Sequence, residues 1–540
     1  MDLTARSLLA LGVGAGDHVA VQLRNCPEFV FLTFALAKIG AVKVPINVQI
    51  SRAELIHMLR QAEVSCLISC QPIDRELMEK IRQRETPEDT PGRSSVPGIR
   101  WLILMNRNPL YEEEGVIYWR ELLGRGRRVR DDEAERYAAG YQDPQGMSDI
   151  IFTSGSTSQA KGVMVHHDML LRSALGTCYS RRMEKGRRIF VPIPLFHMFA
   201  YVEGLLAALL VGGVVILPQS HYSARLALMM MQYCRANDII CVSSIMADLL
   251  NKGSFEPKDF PDLHAGYWAS SCADWVWRTA REKLGIQDIT TGYGMTECGS
   301  TTSLTRPEDG AYVAEECHGR PKYAGSAGDP RLGGRLLEIR ICDPETGREV
   351  PYGGQGELYC RGLTVTKGYY NDPEANAGAF DGNGWFHTGD LARFEPGGNL
   401  VFLGRNSDMY KINGENVSPQ YVDHVLGQCP GVLAAETVGI RHPKYGAVGI
   451  AFLDCGNENL SEMCVRLHGY CERYLARYQI PGYFVFGSSE SWPKTRTGKV
   501  AKKKLGELAA ELLARQADSQ GADKRAAQAE NFTVMKWSDR

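Results

Sequence analysis

The sequence predicts an α/β protein: a large N-terminal domain of parallel-rich α/β sheets carrying a β-rich subdomain, then a small α+β C-terminal domain. Three observations predict it. Short apolar, β-like runs alternate with helix-spaced segments as far as Val242, the pattern of parallel strands covered by helices. From about Gly325 the texture changes, and glycine and proline punctuate short strands. A chain of 540 residues also exceeds what one hydrophobic core organises. The expected divisions are 1–406, with the β-rich subdomain at about 325–405, then 407–513, then a polar tail over 514–540 expected to lack fixed structure.

The elements follow in chain order. His18 to Leu23 reads as a strand, Pro27 to Lys38 has helical apolar spacing and Ala41 to Pro45 is β-like again, which makes a βαβ unit. Val64 to Ser69, Ile99 to Met105, Arg188 to Pro192 and Ile239 to Val242 continue the strand series. The apolar run Leu205 to Leu217, broken by Gly212-Gly213, reads as a buried helix end turning into a buried strand and falls short of the roughly 20 residues that span a bilayer. Gly12 to Gly16 reads as a turn, because no strand precedes it and its spacing fails the dinucleotide fingerprint. Arg125 to Arg136 mixes Arg, Asp and Glu as a solvated surface does. Leu337 to Ile341 and Gly356 to Cys360 are the β-rich strands. Pro419 to Leu426 and Met463 to Ala476 read as helices, and Ala434 to Ile440 and Tyr483 to Phe486 as strands.

A formal net charge of −2 gives no ground for a nucleic-acid partner. Fifteen cysteines without zinc-type spacing suit a reducing compartment, so a cytoplasmic location is expected, with peripheral membrane contact open for a lipid-like substrate. No cleavable signal sequence is expected at a start carrying Asp2 and Arg6.

The apolar run Ile150-Ile151-Phe152 feeds Thr153-Ser154-Gly155-Ser156-Thr157-Ser158-Gln159-Ala160-Lys161-Gly162. Glycine and small hydroxylated residues let N–H and O–H groups crowd around an anion, and the lysine adds charge. This reads as a loop built for phosphate, an ordinary polar surface loop being its other reading, and not as a P-loop, because Lys161 precedes glycine rather than Ser or Thr. Further along stand Tyr293-Gly294-Met295-Thr296-Glu297, Gly356-Glu357-Leu358 with Arg361-Gly362, and Trp385 to Leu391 around Gly389-Asp390. Gly404-Arg405, Asp408, Gly414, Pro419 and Pro493-Lys494-Thr495-Arg496-Thr497-Gly498-Lys499 complete the set. In this order and spacing, over about residues 5 to 512, the chain resembles the AMP-forming acyl-CoA synthetases, the adenylate-forming superfamily that includes acyl- and aryl-CoA ligases, peptide-synthetase adenylation domains and luciferase.

The resemblance implies an enzyme that uses ATP and Mg²⁺ to adenylate a carboxylic acid and coenzyme A to take the acyl group. It also implies that the C-terminal domain is mobile. Lys161 and the hydroxyls of Thr153, Ser154, Ser156 and Thr157, around Gly155, would hold the triphosphate. Tyr293 and Gly294 would border adenine, Asp390 would accept the ribose hydroxyls and Arg405 would partner ribose or phosphate. Thr296 would reach the α-phosphate, Glu297 with Thr153 would hold the Mg²⁺, and Lys499 would be the catalytic lysine. His197, in Pro194 to Phe199, matches the gate beside the acyl site; a core histidine is its other reading. Asp408 would be the hinge, with Lys411 and Gly414 lining the CoA channel.

Several positions depart from the family pattern. Ser158 and Ala160 replace the usual glycine and proline of the phosphate loop, serines occupy the Gly266 to Cys272 stretch, and the chain begins close to its first βαβ unit. Amino-acid-selecting relatives carry an aspartate just after the gate, where this chain has Met198 and Phe199, so a fatty, alicyclic or aryl acid is expected. Three functions remain open: an acid–CoA ligase, an adenylating enzyme that loads an external acyl carrier protein, and a homologue impaired in adenylation.

Overall fold

The computed structural model describes residues 1–73, 76–77, 79, 98–106, 116–141, 143–153, 160–218, 222–252, 255–269, 274–310, 317–412, 415–442, 445–495, 500–518, 527–529 and 532–536. The opening βαβ unit forms as its residues dictate. Strand β1 (His18–Gln22) is buried throughout, and the helix Pro27–Lys38 starts with proline and Glu28 in its first turn and ends on Lys38, each suited to the helix dipole. It returns to β2 (Val42–Pro45), parallel to β1. The next helix, Arg52–Gln61, is opened by a reciprocal capping box between Ser51 and Glu54.

With β3 (Cys66–Ser69), β4 (Trp101–Leu104), β5 (Val116–Tyr118), β6 (Met147–Thr153) and β7 (Lys161–His166) these strands make a seven-stranded sheet in the order β5-β4-β3-β1-β2-β6-β7. Only the β6–β7 pair is antiparallel. Inside this sheet Lys43 Nζ, 2% exposed, lies 3.2 Å from Asp149 Oδ1 and 3.9 Å from the Tyr201 ring centroid, so the buried charge is paired.

A second, wholly parallel sheet of five contains β8 (Arg188–Phe190), β9 (Val214–Ile216), β10 (Asp238–Val242), β11 (Ala265–Ala269) and β12 (Asp288–Thr290), in the order β12-β11-β10-β8-β9. Between β8 and β9 the expected buried helix is wound as a π-helix over Phe199–Leu206, continued by an α-helix over Ala207–Leu210. Strands β13 (Gly292–Met295), β14 (Ser300–Leu304) and β15 (Arg320–Pro321) form a small antiparallel sheet. The β-rich part is the antiparallel meander β16 (Leu337–Cys342), β17 (Gly356–Gly362), β18 (Phe386–Glu395) and β19 (Asn399–Arg405).

Beyond Arg405 come a single 3₁₀ turn, Asn406–Asp408, and the ribbon β20 (Tyr410–Ile412) with β21 (Glu415–Val417). The last sheet holds β22 (Ala434–His442), β23 (Gly446–Asp454), β24 (Tyr483–Phe486), β25 (Ala527–Ala529) and β26 (Phe532–Lys536), in the order β22-β23-β24-β26-β25. The expectation that 514–540 lacks fixed structure is corrected for its described residues, 514–518, 527–529 and 532–536. The helix Lys502–Asp518 runs past residue 513, and β26 pairs antiparallel with β24, because Val534 and Phe532 have apolar cover to reach. Among the described residues, no helix is long and apolar enough to cross a membrane.

Candidate active site

The site lies where the antiparallel β6–β7 pair, the β13–β14 hairpin and the β18–β19 hairpin meet. Thr153 ends β6 and is the register partner of Lys161 at the start of β7, so this loop joins two antiparallel strands, whereas a P-loop leads into a helix. Ser154, Gly155, Ser156, Thr157 and the departure at Ser158 lie outside the described residues.

Lys161 Nζ stands 5.1 Å from the ring centroid of Tyr369, whose hydroxyl donates to Glu297 Oε1 at 3.0 Å. Tyr369 thus couples the lysine of one motif to the carboxylate of another. The segment that bears it is fixed on both sides by backbone bonds: Tyr370 N donates to Gly162 O at 2.7 Å, Met164 N to Gly368 O at 3.0 Å and Thr366 N to Glu297 O at 2.7 Å. The sequence reading overlooked Tyr369 and Thr366; the signal available was the Gly368-Tyr369-Tyr370 step a few residues past Arg361-Gly362.

Glu297 sits in the 3₁₀ turn Thr296–Cys298, closed by Gly299 at φ +83°. Its burial pushes the carboxyl above its ordinary range, while the bonds to its own backbone and from Tyr369 pull it back. Gly294 is obligatory, since a Cβ there would collide with the Ser300 carbonyl across the hairpin.

Asp390, 3% exposed, accepts a hydrogen bond from the Tyr293 hydroxyl at 2.6 Å on Oδ2, and Arg405 Nε lies 3.2 Å from its Oδ1. Asp390 and Arg405 are direct cross-strand partners in β18 and β19, which fixes their contact. The positive φ of Gly389, +70°, turns the strand into this position, and Gly389 N donates to Glu357 Oε1 at 3.1 Å. The charges of Arg405 and Asp390 both bear on Glu297, so the two carboxylates share one electrostatic neighbourhood. Tyr293 stacks on Phe402 with centroids 5.4 Å apart, so one of its faces is covered by protein. Burial, reinforced by Asp390, lifts its hydroxyl pKa well above the usual value and keeps it a donor.

His197 is half-buried, tilted against Phe196 at 4.4 Å, and its carbonyl accepts from Tyr201 N at 3.0 Å at the entry to the π-helix. Phe199 meets Tyr267 edge-on at 4.9 Å. Single π turns recur at functional sites. Asp408 is half-buried in the turn after β19 and Lys411 is exposed in β20, while Gly414 and Lys499 lie outside the described residues. The flanks of Lys499 come together: Lys494 bridges Val500, and Ala501 N donates to Pro493 O at 2.8 Å.

No group of three or more His, Cys, Asp or Glu side chains able to hold a metal exists among the described residues. Glu297 and Thr153 carry hard oxygens, the donor type Mg²⁺ takes when phosphates and water complete its shell.

Residues 1–370 match the family of AMP-binding enzymes. YngI of Bacillus subtilis, an acyl-CoA synthetase by name, is 31% identical over 94% of this chain and 90% of its own. A Mycobacterium tuberculosis CoA ligase named for a methyl-dioxo-octahydroindenyl propanoyl group is 30% identical over 93% of this chain and 91% of its own. The crystal structure of the anthranilate CoA ligase AuaEII with anthranoyl-AMP superposes with a TM-score of 0.78 at 24% identity, covering 95% of this chain and 91% of that one. That likeness bears on the fold. With the matched span and these relatives, the chain belongs to the AMP-binding enzymes, the family of AMP-forming acyl-CoA synthetases.

Proposed function

We infer that the protein is an AMP-forming acid–CoA ligase acting on a fatty, alicyclic or aryl acid. The observation that carries this is the pairing of two buried carboxylates with different partners in one neighbourhood: Asp390 held by Tyr293 and Arg405, and Glu297 held by Tyr369 beside Lys161. A carboxylate has about four lone-pair sites, so Asp390 retains acceptors for two ribose hydroxyls after binding Tyr293 and Arg405. Tyr293 then walls the base, and Lys161 faces the phosphates.

In the first half-reaction a carboxylate oxygen of the acid attacks the α-phosphorus, the bond to the bridging oxygen breaks, and pyrophosphate leaves. Negative charge gathers on the phosphates, so positioned cations serve better than an acid–base pair. Lys161 supplies one, and Lys499 is assigned the other, between the attacking carboxylate and the α-phosphate. Mg²⁺, when bound at Glu297, would neutralise charge on the triphosphate. In the second half-reaction the thiol of CoA attacks the acyl carbon of the mixed anhydride, and AMP leaves with the bonding electrons. Asp408 is assigned as the hinge between the two, with Lys411 and Gly414 beside the pantetheine arm.

The substrate class rests on Met198 and Phe199 following His197, where no carboxylate meets an α-ammonium group, and on the alicyclic acid in the name of the mycobacterial relative. The test is purified protein with ATP, Mg²⁺ and a panel of fatty, alicyclic and aryl acids, reading AMP and pyrophosphate with and without CoA. CoA-dependent AMP release with thioester formation is expected. Pyrophosphate release that CoA cannot turn over would replace this reading with a carrier-protein acceptor. Silence across the panel, with CoA consuming a supplied acyl-adenylate, would replace it with a homologue impaired in adenylation.

A further inference from the structure

The C-terminal sheet contains a cluster of charges that the reaction does not use. Lys502 Nζ donates to Asp423 Oδ2 at 2.7 Å and to the Thr437 carbonyl at 3.0 Å, and forms an ion pair with Glu436. Three acceptors from two elements, the helix Pro419–Gly427 and strand β22, meet the three donors of one ammonium group. The group sits largely out of water, with the Asp423 side chain 14% and the Lys502 side chain 21% exposed. A surface lysine does not need such a cage.

The position of Lys502 explains it. It is the first residue of the helix Lys502–Asp518 and stands three residues after Lys499. The loop before it is tied at its base by Ala501 N to Pro493 O at 2.8 Å and by the Lys494–Val500 bridge. Fixing Lys502 therefore fixes one root of the lysine loop.

The other end of the cluster reaches the assigned hinge. Tyr410, two residues beyond Asp408, is 8% exposed and lies across Gly439 and Gly449, cross-strand partners in β22 and β23, where a Cβ on either glycine would strike its ring or hydroxyl. Tyr410 shares an apolar cluster with Val422 and Val425, whose helix Pro419–Gly427 also bears Asp423. Burial raises the Tyr410 hydroxyl pKa, and the charge of Asp423 adds to the rise. One packed unit therefore joins the segment just beyond Asp408, through Tyr410, to the helix whose Asp423 holds Lys502.

We propose that Lys502 is a positioning residue for adenylation: clamped by Asp423, Glu436 and the Thr437 carbonyl, it ties the base of the lysine loop to the helix Pro419–Gly427 and strand β22. Rotation about Asp408 then carries that base together with the helix and the strand. This rests on the assignment of Lys499 and Asp408 under the proposed function. In the proposed reaction Lys499 is assigned to adenylation alone, so the Lys502 clamp serves that half-reaction only.

The experiment measures acid-dependent pyrophosphate exchange and, separately, CoA-dependent consumption of a supplied acyl-adenylate of an acid the unaltered protein turns over. It compares K499A, K502M and D423N/K502M in the full chain, with a thermal melt of each. The double variant removes Lys502 together with Asp423, the more deeply buried of its two carboxylate partners, and guards against misfolding of K502M. The expected result is exchange lowered ~10- to 100-fold in both Lys502 variants, the loss that misplacing a reacting group by about 1 Å causes, with adenylate consumption within twofold. Equal loss of both half-reactions in the double variant, or exchange within twofold of the unaltered protein, would overturn the proposal. If K499A itself keeps full exchange, the lysine assignment fails instead.

Discussion

Phe402 joins the ring of His318 to that of Tyr293. His318 Nδ1 accepts from the Phe402 amide at 3.3 Å and its ring meets Phe402 edge-on, while the other side of Phe402 stacks on Tyr293. Burial, with the neighbouring His424, pushes its pKa down to about 4. The folded chain therefore binds this proton less readily than the unfolded chain. The stability it contributes is complete above about pH 6.5 and is lost as pH falls towards 4; at pH 5 the loss is about 2 kcal/mol. His318→Asn keeps an acceptor near the Nδ1 position and removes the titration. Its melting temperature is expected to fall less than that of the unaltered protein between pH 7 and pH 5; parallel falls would sink the argument. No sequence signal announced His318, because its meaning comes from a neighbour 84 residues away. That Asp390, Arg405, Tyr293 and Glu297 belong together was legible in the order and spacing of their motifs, and the structure brings them into one neighbourhood. Tyr369 was not, because a tyrosine after glycine has many ordinary uses.

Among the elements, the apolar run Leu205 to Leu217 was read as a buried helix end turning into a buried strand; the chain does turn there, but Leu209, Leu210 and Val214 are exposed, so only part of the run is buried. Its π winding was not legible, since it reflects what the segment packs against. Glu203, wholly buried in the π-helix, accepts from Thr177 of the helix His167–Ser180, from Thr301 of β14 and from Lys322 Nζ at 2.8 Å. Lys322 also donates to Ser173 O and Oγ, both at 3.2 Å. Burial alone would raise the Glu203 carboxyl; Lys322 and the two hydroxyls outweigh it and hold it below its ordinary value. This network ties the helix after His197 to the hairpin bearing Glu297. Glu203→Gln leaves the Lys322 ammonium buried without its counter-charge, at a cost of about 3–5 kcal/mol in a urea melt. Glu203→Leu with Lys322→Met is expected to recover most of it, because a well-packed apolar pair of similar volume avoids the desolvation. A Glu203→Gln loss under about 1 kcal/mol would show that the pair is not what holds these elements together.

Across the whole molecule, the order of parallel sheets, β-rich meander and C-terminal α+β unit followed from periodicity, whereas the chain end was misread. Residues 514–540 are polar and rich in Ala and Gln, and composition outweighed the alternation in Phe532-Thr533-Val534-Met535-Lys536. That short alternation has a partner only in three dimensions. Val534 pairs with Val485 and is wholly buried, and Phe532 meets Phe452 edge-on at 6.1 Å. Met535, from the opposite face of β26, packs on the second apolar cluster of this unit. The strand thus covers both faces of the sheet edge that β24 would otherwise present. Deleting residues 519–540 should expose apolar surface worth on the order of 3 kcal/mol and leave the β24 edge open to pairing with other chains. The expected outcome is faster proteolysis within residues 407–518, a lower melting temperature and concentration-dependent aggregation, measured against the full chain. Protection of 407–518 equal to that of the full chain would mean that β26 merely lies on a sheet complete without it. Loss of protection would make the last strand a condition for the C-terminal unit's rigidity, and so for any reaction in which that unit must carry a lysine to the nucleotide as one body.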